Sequence, residues 1–141
     1  MSDYRIARET DYAERTASEV LNELLAFNAS QAGDLNLERL VFSVRADDGA
    51  LVGGLVAMQY WNGMFIDLLW VHEKLRGRGV GTKLMRRAED SLSARGGDIS
   101  FLSTWSFQAP GFYEKLGYTA FGTLEGLPAN GSRTWYFKRL K

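Results

Sequence analysis

A single α+β or mixed α/β domain is the fold class that three observations predict. The chain has 141 residues, a length that one hydrophobic core serves. Its apolar residues switch repeatedly between alternation and helical spacing, which separates strands from helices. Asp-Gly and Asn-Gly pairs divide the strand-like runs, as tight hairpins require. No internal repeat, linker or low-complexity segment interrupts residues 1–141, so one domain is expected throughout.

Taken in order, "YRIAR" (residues 4–8) reads as a short first strand. In "ETDYAERTASEVLNELLAFNASQAG", Ala17, Leu21, Leu24 and Phe27 fall on one helical face, and Asp11 with Glu14 forms a candidate capping box. "RLVFSVRA", "LVGGLVAMQY" and "MFIDLLWV", divided by "DDGA" and "WNG", predict three antiparallel strands in a meander. The second long helix starts near Gly79. Val80, Leu84, Ala88 and Leu92 repeat every fourth residue, Gly96-Gly97 stops the run, and the other faces carry Lys83, Arg86, Arg87, Glu89 and Asp90. "DISFLSTW" is a further strand. "APGFYEKLG" is a short helix with Pro110 in its first turn and Gly117 at its end, and "YTAFGTLE" and "SRTWYFKRL" close as strands. The expected order is β-α-β-β-β-α-β-α-β-β.

Composition narrows the function classes. The chain is 45% hydrophobic and 24% charged with two prolines, which supports a packed core. Its 17 basic and 17 acidic residues cancel, so no overall field draws it to nucleic acid or an anionic membrane, and neither is expected as a partner. Without cysteine there is no disulfide, thiolate metal site or cysteine nucleophile, and one histidine cannot build a multi-histidine metal site. No metal is expected. The N-terminal residues lack an apolar signal core and no run approaches the ~18 apolar residues of a membrane span. Cytoplasmic localisation is the expectation.

The densest motif is "RGRGVGTK", Arg76 to Lys83. It is not a Walker A loop, because Lys83 follows Thr82. Nor is it a dinucleotide fingerprint, because Gly77, Gly79 and Gly81 are spaced G-x-G-x-G. A flexible turn with solvated arginines is the bland alternative. Its position between an apolar strand and an amphipathic helix favours a pyrophosphate cradle. First-turn amides there lack intrahelical acceptors, the helix macrodipole adds roughly half a positive charge, and glycines let a phosphate approach the backbone. Arg76 and Arg78 would add charge-assisted bonds.

These residues also carry a family likeness. "LLWVHEKLRGRGVGTKLMRRAE" resembles the acetyl-CoA-binding motif of the GNAT superfamily of N-acyltransferases, Arg/Gln-x-x-Gly-x-Gly/Ala, with Arg76, Gly79 and Gly81 at its defined positions. Downstream, "APGFYEKLGY" is similar to the family's A-x-x-F/L-Y-E-K-x-G-F/Y stretch, which aligns Ala109, Phe112 and Tyr113. The resemblance implies a GNAT-like central mixed, mostly antiparallel sheet flanked by helices. It implies acetyl-CoA as co-substrate, with the pantetheine arm in a gap between the fourth strand of the expected order and the next one. Leu69, Trp70 and Val71 would line that gap, and Arg76, Gly77, Arg78, Gly79, Val80, Gly81 and Thr82 would hold the pyrophosphate. Many relatives have Asn three residues before the alanine. This chain has Ser106 there, and either Ser106 or Gln108 would make the pantetheine contact.

Acetyl transfer by direct amine attack needs no covalent enzyme intermediate, which suits a chain without cysteine. The resemblance places Tyr113 near the CoA sulfur as general acid. A phenol of pKa near ~10 can protonate a thiolate whose acid has pKa near ~8.5 at modest cost. It also implies an oxyanion donor in the main chain of Val71 or its neighbour. Asp67 is the candidate base: it stands in an apolar run, two-residue alternation puts it on the face of Leu69 and Val71, and burial would raise its pKa. The alternatives are an Asp near the hairpin end that reaches solvent or caps a turn, and a relayed water as the base. His72, in the "HEKL" connection, reads as an exposed loop residue.

An acceptor pocket is expected between the first helix and the strand ends, with Phe27, Trp61, Trp105 and Phe107 as candidate walls; core packing is the ordinary alternative for any one of them. The expected acceptor is a small-molecule primary amine. A CoA-binding sensor without turnover, or an acetyltransferase of protein or RNA-linked amines, are the rival readings. Family members are often dimers, so a homodimer is an expectation of the resemblance alone.

Overall fold

The computed structural model describes residues 3–141. The chain forms two compact units, Met1–Leu35 and Asn36–Lys141. In the first, α1 spans Ala13–Ala32. Its start departs from the expected capping box: Tyr12 is the N-cap and no side chain caps the helix. The first-turn bond is instead Thr16 N–H to Tyr12 C=O at 2.9 Å. The helix ends where the amide of Gly33 donates to Ala29 C=O at 2.9 Å, with Gly33 at φ 85°. Residues 4–8 form no strand. Their two large apolar side chains, Tyr4 and Ile6, are exposed, so the run has no buried face to set a strand register.

The second unit holds one six-stranded sheet: β1 (Glu38–Arg45), β2 (Leu51–Tyr60), β3 (Gly63–Val71), β4 (Ile99–Trp105), β5 (Thr119–Glu125) and β6 (Ser132–Arg139). The spatial order is β1-β2-β3-β4-β6-β5. All neighbours are antiparallel except β3 and β4, which are parallel. A parallel pair needs a crossover, and α2 (Val80–Ala94) supplies it. The helix α3 (Pro110–Lys115) joins β4 to β5. The mixed sheet flanked by helices and the three-strand meander are therefore as expected, with six strands rather than seven.

The core lies between α2 and one face of the sheet. Leu84, Met85, Ala88 and Leu92 cluster with Leu55, Ala57, Met64, Ile66 and Leu102, and with Leu116, Tyr118 and Tyr136 beyond. The fourfold repeat read from the sequence is thus the buried stripe, and Val80 packs at its edge. Each fully buried leucine contributes about 1.5–3 kcal/mol. The helix stops in a two-bond cap: Gly96 N–H bonds Ser93 C=O at 3.0 Å and Gly97 N–H bonds Leu92 C=O at 2.9 Å. Gly96 takes the left-handed conformation, φ 80°, and a Cβ on Gly97 would overlap the Leu92 side chain. Gly96 is required for conformation and Gly97 for space.

Candidate active site

Strands β3 and β4 pair only over residues 63–66 and 99–102. Beyond Ile66 and Leu102 they part, although β3 continues to Val71 and β4 to Trp105. A bulge marks the departure: Ala57 pairs with Ile66 but Val56 with Leu68, leaving Asp67 as the extra residue. Bulges bend a strand and end pairing on its far side. The main chain of β3 past this point alternates in direction. His72 N–H turns to β2, bonding Val52 C=O at 2.9 Å, whereas Val71 C=O turns away and accepts from Arg76 Nε at 3.1 Å. By the two-residue period, the peptide groups of Leu69 and Val71 face the gap and those of Trp70 are spent on β2. Two of the three expected gap-lining residues therefore offer main-chain partners there.

The bulge also corrects the placement of Asp67. Ile66 is buried and Leu69 packs on the same core, with Asp67 and Leu68 between them, both exposed. The extra residue breaks the alternation that would have put Asp67 beside Leu69 and Val71. Its carboxylate is exposed rather than buried as expected. His72 is half-buried and caps the 3-10 turn Glu73–Leu75, its Nδ1 accepting from Lys74 N–H at 3.1 Å.

The glycine-rich loop follows that turn. Gly77 and Gly79 hold φ of 78° and 79°, a region that L side chains rarely adopt, and nothing lies within 4 Å of the space a Cβ would occupy. Gly81 is needed for a different reason: its Cβ would stand 3.2 Å from the Phe112 ring of α3. Arg76 N–H bonds Glu73 C=O, and Lys83 N–H makes the first intrahelical bond, to Gly79 C=O. Among the described residues, no hydrogen bond takes up the amides of residues 77–82 between them. This row begins ahead of α2 and runs through its first turn, where the macrodipole is positive. Arg78 is exposed beside it. The side chain of Arg76 ties the loop to the end of β3, and Phe112 ties α3 to the start of α2. Gap, loop and α3 thereby form one continuous region.

Tyr113 sits on α3, half-buried, with its ring against Phe112 at 5.1 Å and against Tyr118 and Tyr136, each at 6.2 Å. Burial pushes its phenol pKa up. Its hydroxyl makes no hydrogen bond among the described residues and is not sealed from solvent. Ala109 is the N-cap of α3, its carbonyl accepting from Phe112 N–H at 3.1 Å. Ser106 Oγ accepts from Ser132 N–H at 3.1 Å, which leaves its own proton to donate. Gln108 Oε1 accepts from both Thr104 Oγ1 and Trp105 N–H, at 3.0 and 2.9 Å, so its carbonyl is committed to the end of β4.

The expected acceptor walls are not all brought together. Trp105 ends β4 beside the gap, and Phe107 stacks on it with ring planes 7° apart. Trp61, at φ 50°, makes the β2–β3 turn instead. It adjoins the end of β3 that is still paired with β4, about 26 Å along the strand from Val71 at ~3.3 Å per residue. A two-residue hairpin needs positive φ there, which is why Trp61 is a turn residue and not a wall. Phe27 lies on α1 in the first unit. The structure also brings to Trp105 two residues that the sequence did not single out, Arg133 and Trp135. Arg133 lies over the Trp105 and Trp135 rings at 5.0 and 4.7 Å. The signal was the alternation in "SRTWYF", which puts both residues on one strand face.

A parallel strand pair that parts, followed by a row of unbonded amides at the start of the crossover helix, is the arrangement the chain presents. Comparison with known proteins supplies the family. The model of the acetyltransferase (GNAT) family matches residues 4–118. Acetyltransferase Atu2258 of Agrobacterium fabrum (strain C58 / ATCC 33970) is 32% identical over 131 residues, 92% of this chain and 96% of that protein. The blasticidin-S acetyltransferase of Streptomyces morookaense is 43% identical over 81 residues, 57% of this chain and 60% of its own. The crystal structure of an acetyltransferase from Bacillus cereus ATCC 14579 superposes with a TM-score of 0.84 at 29% identity, covering 97% of this chain and 98% of that one. The chain belongs to the GNAT acetyltransferase family, and it is an acetyltransferase.

Proposed function

We propose that the protein moves the acetyl group of acetyl-CoA to the primary amine of a small molecule. The observation that carries this reading is the row of amides at residues 77–82, continuous with the open edge of β3. The amides would take the pyrophosphate, and the outward peptide groups of Leu69 and Val71 would pair with the pantetheine arm as an added strand pairs with a sheet edge. The thioester then lies where β3 and β4 part. The amine nitrogen attacks the acetyl carbon, a C–N bond forms, and the C–S bond breaks. Val71 N–H stands on the gap edge as the oxyanion donor. The thiolate takes its proton from Tyr113, whose raised pKa keeps it protonated at neutral pH. Asp67, being exposed, would act only through water in removing the ammonium proton.

The S. morookaense relative is named for an antibiotic acceptor, which supports a small-molecule amine over a protein or RNA-linked one. Thiol release from acetyl-CoA across a panel of amines tests the reading. Tyr113→Phe should lower kcat by ~10²-fold or more while leaving the Kd for acetyl-CoA unchanged. Unchanged turnover would remove Tyr113 from the acid role.

A further inference from the structure

The guanidinium of Arg133 is held on three sides. The Trp105 and Trp135 rings lie at 5.0 and 4.7 Å, and Nε donates to Ser103 Oγ at 2.7 Å. Arg133 is half-buried. Among the described residues its terminal nitrogens make no hydrogen bond and no carboxylate lies within 4.0 Å of it; the ion pairs formed are all elsewhere. A guanidinium fixed by its Nε edge and both faces presents its remaining N–H donors as a rigid fork. Such a fork matches the two oxygens of a carboxylate, and indole walls lower the local dielectric and strengthen the pairing.

Its place in the sheet says what it would meet. Leu102 and Tyr136 face the core, so Ser103, Trp105, Arg133 and Trp135 face the opposite side. Ser103 and Trp105 lie past the last β3–β4 pair, beside the gap. Tyr113 packs against the core cluster on the face that α2 covers. A donor seated from the α2 side leaves the other face for the acceptor.

We infer that Arg133 is a specificity-determining residue, and that the acceptor amine carries a carboxylate which Arg133 binds through two parallel hydrogen bonds. This rests on the acetyl-transfer reading above. Ser103 and the two tryptophans are positioning residues for that guanidinium.

The test uses the full chain and amine pairs that differ in the carboxylate alone: β-alanine with β-alaninamide, 4-aminobutanoate with 4-aminobutanamide, and 4-(aminomethyl)benzoate with its amide. Aminoalkyl phosphonates form a third arm. Thiol release should favour at least one acid over its amide by about tenfold or more in kcat/KM. Arg133→Gln should abolish that preference mainly through KM and leave the acetyl-CoA Kd, read by calorimetry, unchanged. Arg133→Lys keeps the charge but loses the fork and should recover only part of the preference, and Ser103→Ala should weaken it without abolishing it. Amides accepted as well as acids, phosphonates preferred over carboxylates, or a preference that survives in Arg133→Gln and Ser103→Ala would each overturn the inference while acetyl transfer stands. No thiol release with any arm would overturn both.

Discussion

Within the loop, single atoms decide. At Gly79 a side chain meets a backbone held at φ 79°, and a non-glycine residue there costs about 1–3 kcal/mol. Gly79→Ala should therefore lower stability in urea unfolding, and weaken acetyl-CoA binding as the loop relaxes away from its amide row. Gly81→Ala is different: the new Cβ meets the Phe112 ring at 3.2 Å. It should displace α3, and with it Tyr113, so that kcat falls as well as affinity. Kinetics on the two variants separate these cases. Asp67→Asn should leave kcat within about threefold of the parent, since an exposed carboxylate supplies little that water does not. A hundredfold loss would restore it as the base. The sequence made the glycines legible because their spacing is local. It misplaced Asp67 because a bulge is a register event between two strands, invisible in the alternation of one.

Elements owe their stability to partners far away in sequence. Glu89 on α2 looks like a solvent-facing residue in the helical pattern, yet it is 5% exposed. It accepts from Tyr118 at 2.9 Å, Lys138 at 3.0 Å and Arg86 at 3.1 Å, while Ser100 shares the Tyr118 hydroxyl at 2.7 Å. Glu89→Ala strands the Lys138 ammonium and half the Tyr118 bonding, and should cost roughly 3 kcal/mol in urea unfolding with the acetyl-CoA Kd unchanged. Burial, opposed by the Ser100 bond and reinforced by Glu89, also holds the Tyr118 phenol far above its ordinary value of 10.0. Below pH 10 both states keep the proton and nothing changes. Above it the unfolded chain releases a proton that the folded one retains, so stability falls as pH rises past about 10. Tyr118→Phe should flatten that fall in alkaline unfolding curves. None of this network follows from local pattern, because its members come from α2, β4, β6 and the residue before β5. The apolar stripe of α2 and its glycine stop were legible, being repeats of one element. The capping box at Asp11 and the strand at residues 4–8 were not, since matching residue types do not ensure that a bond or a sheet partner forms.

At the scale of the molecule, the proposed donor site is a consequence of topology. One parallel pair in an antiparallel sheet demands the crossover helix, and the crossover puts that helix's bare amides at the end where the pair comes apart. Order, spacing and the two motifs made this much readable from residues 63–118. The proposed acceptor side was not readable in the same way. Trp105, Arg133 and Trp135 meet only through β4–β6 pairing, and Trp61, equally aromatic, goes to the far end of β3. Among the described residues no helix is long and apolar enough to cross a membrane.

The central claim is that acetyl-CoA occupies the gap and the amide row together. Amide chemical shifts followed by NMR through an acetyl-CoA titration test it most directly. The amides of residues 77–82 and those of Leu69 and Val71 should move together with one Kd, while Trp70, bonded to β2, moves less. Saturable binding that left residues 77–82 unperturbed would contradict the account.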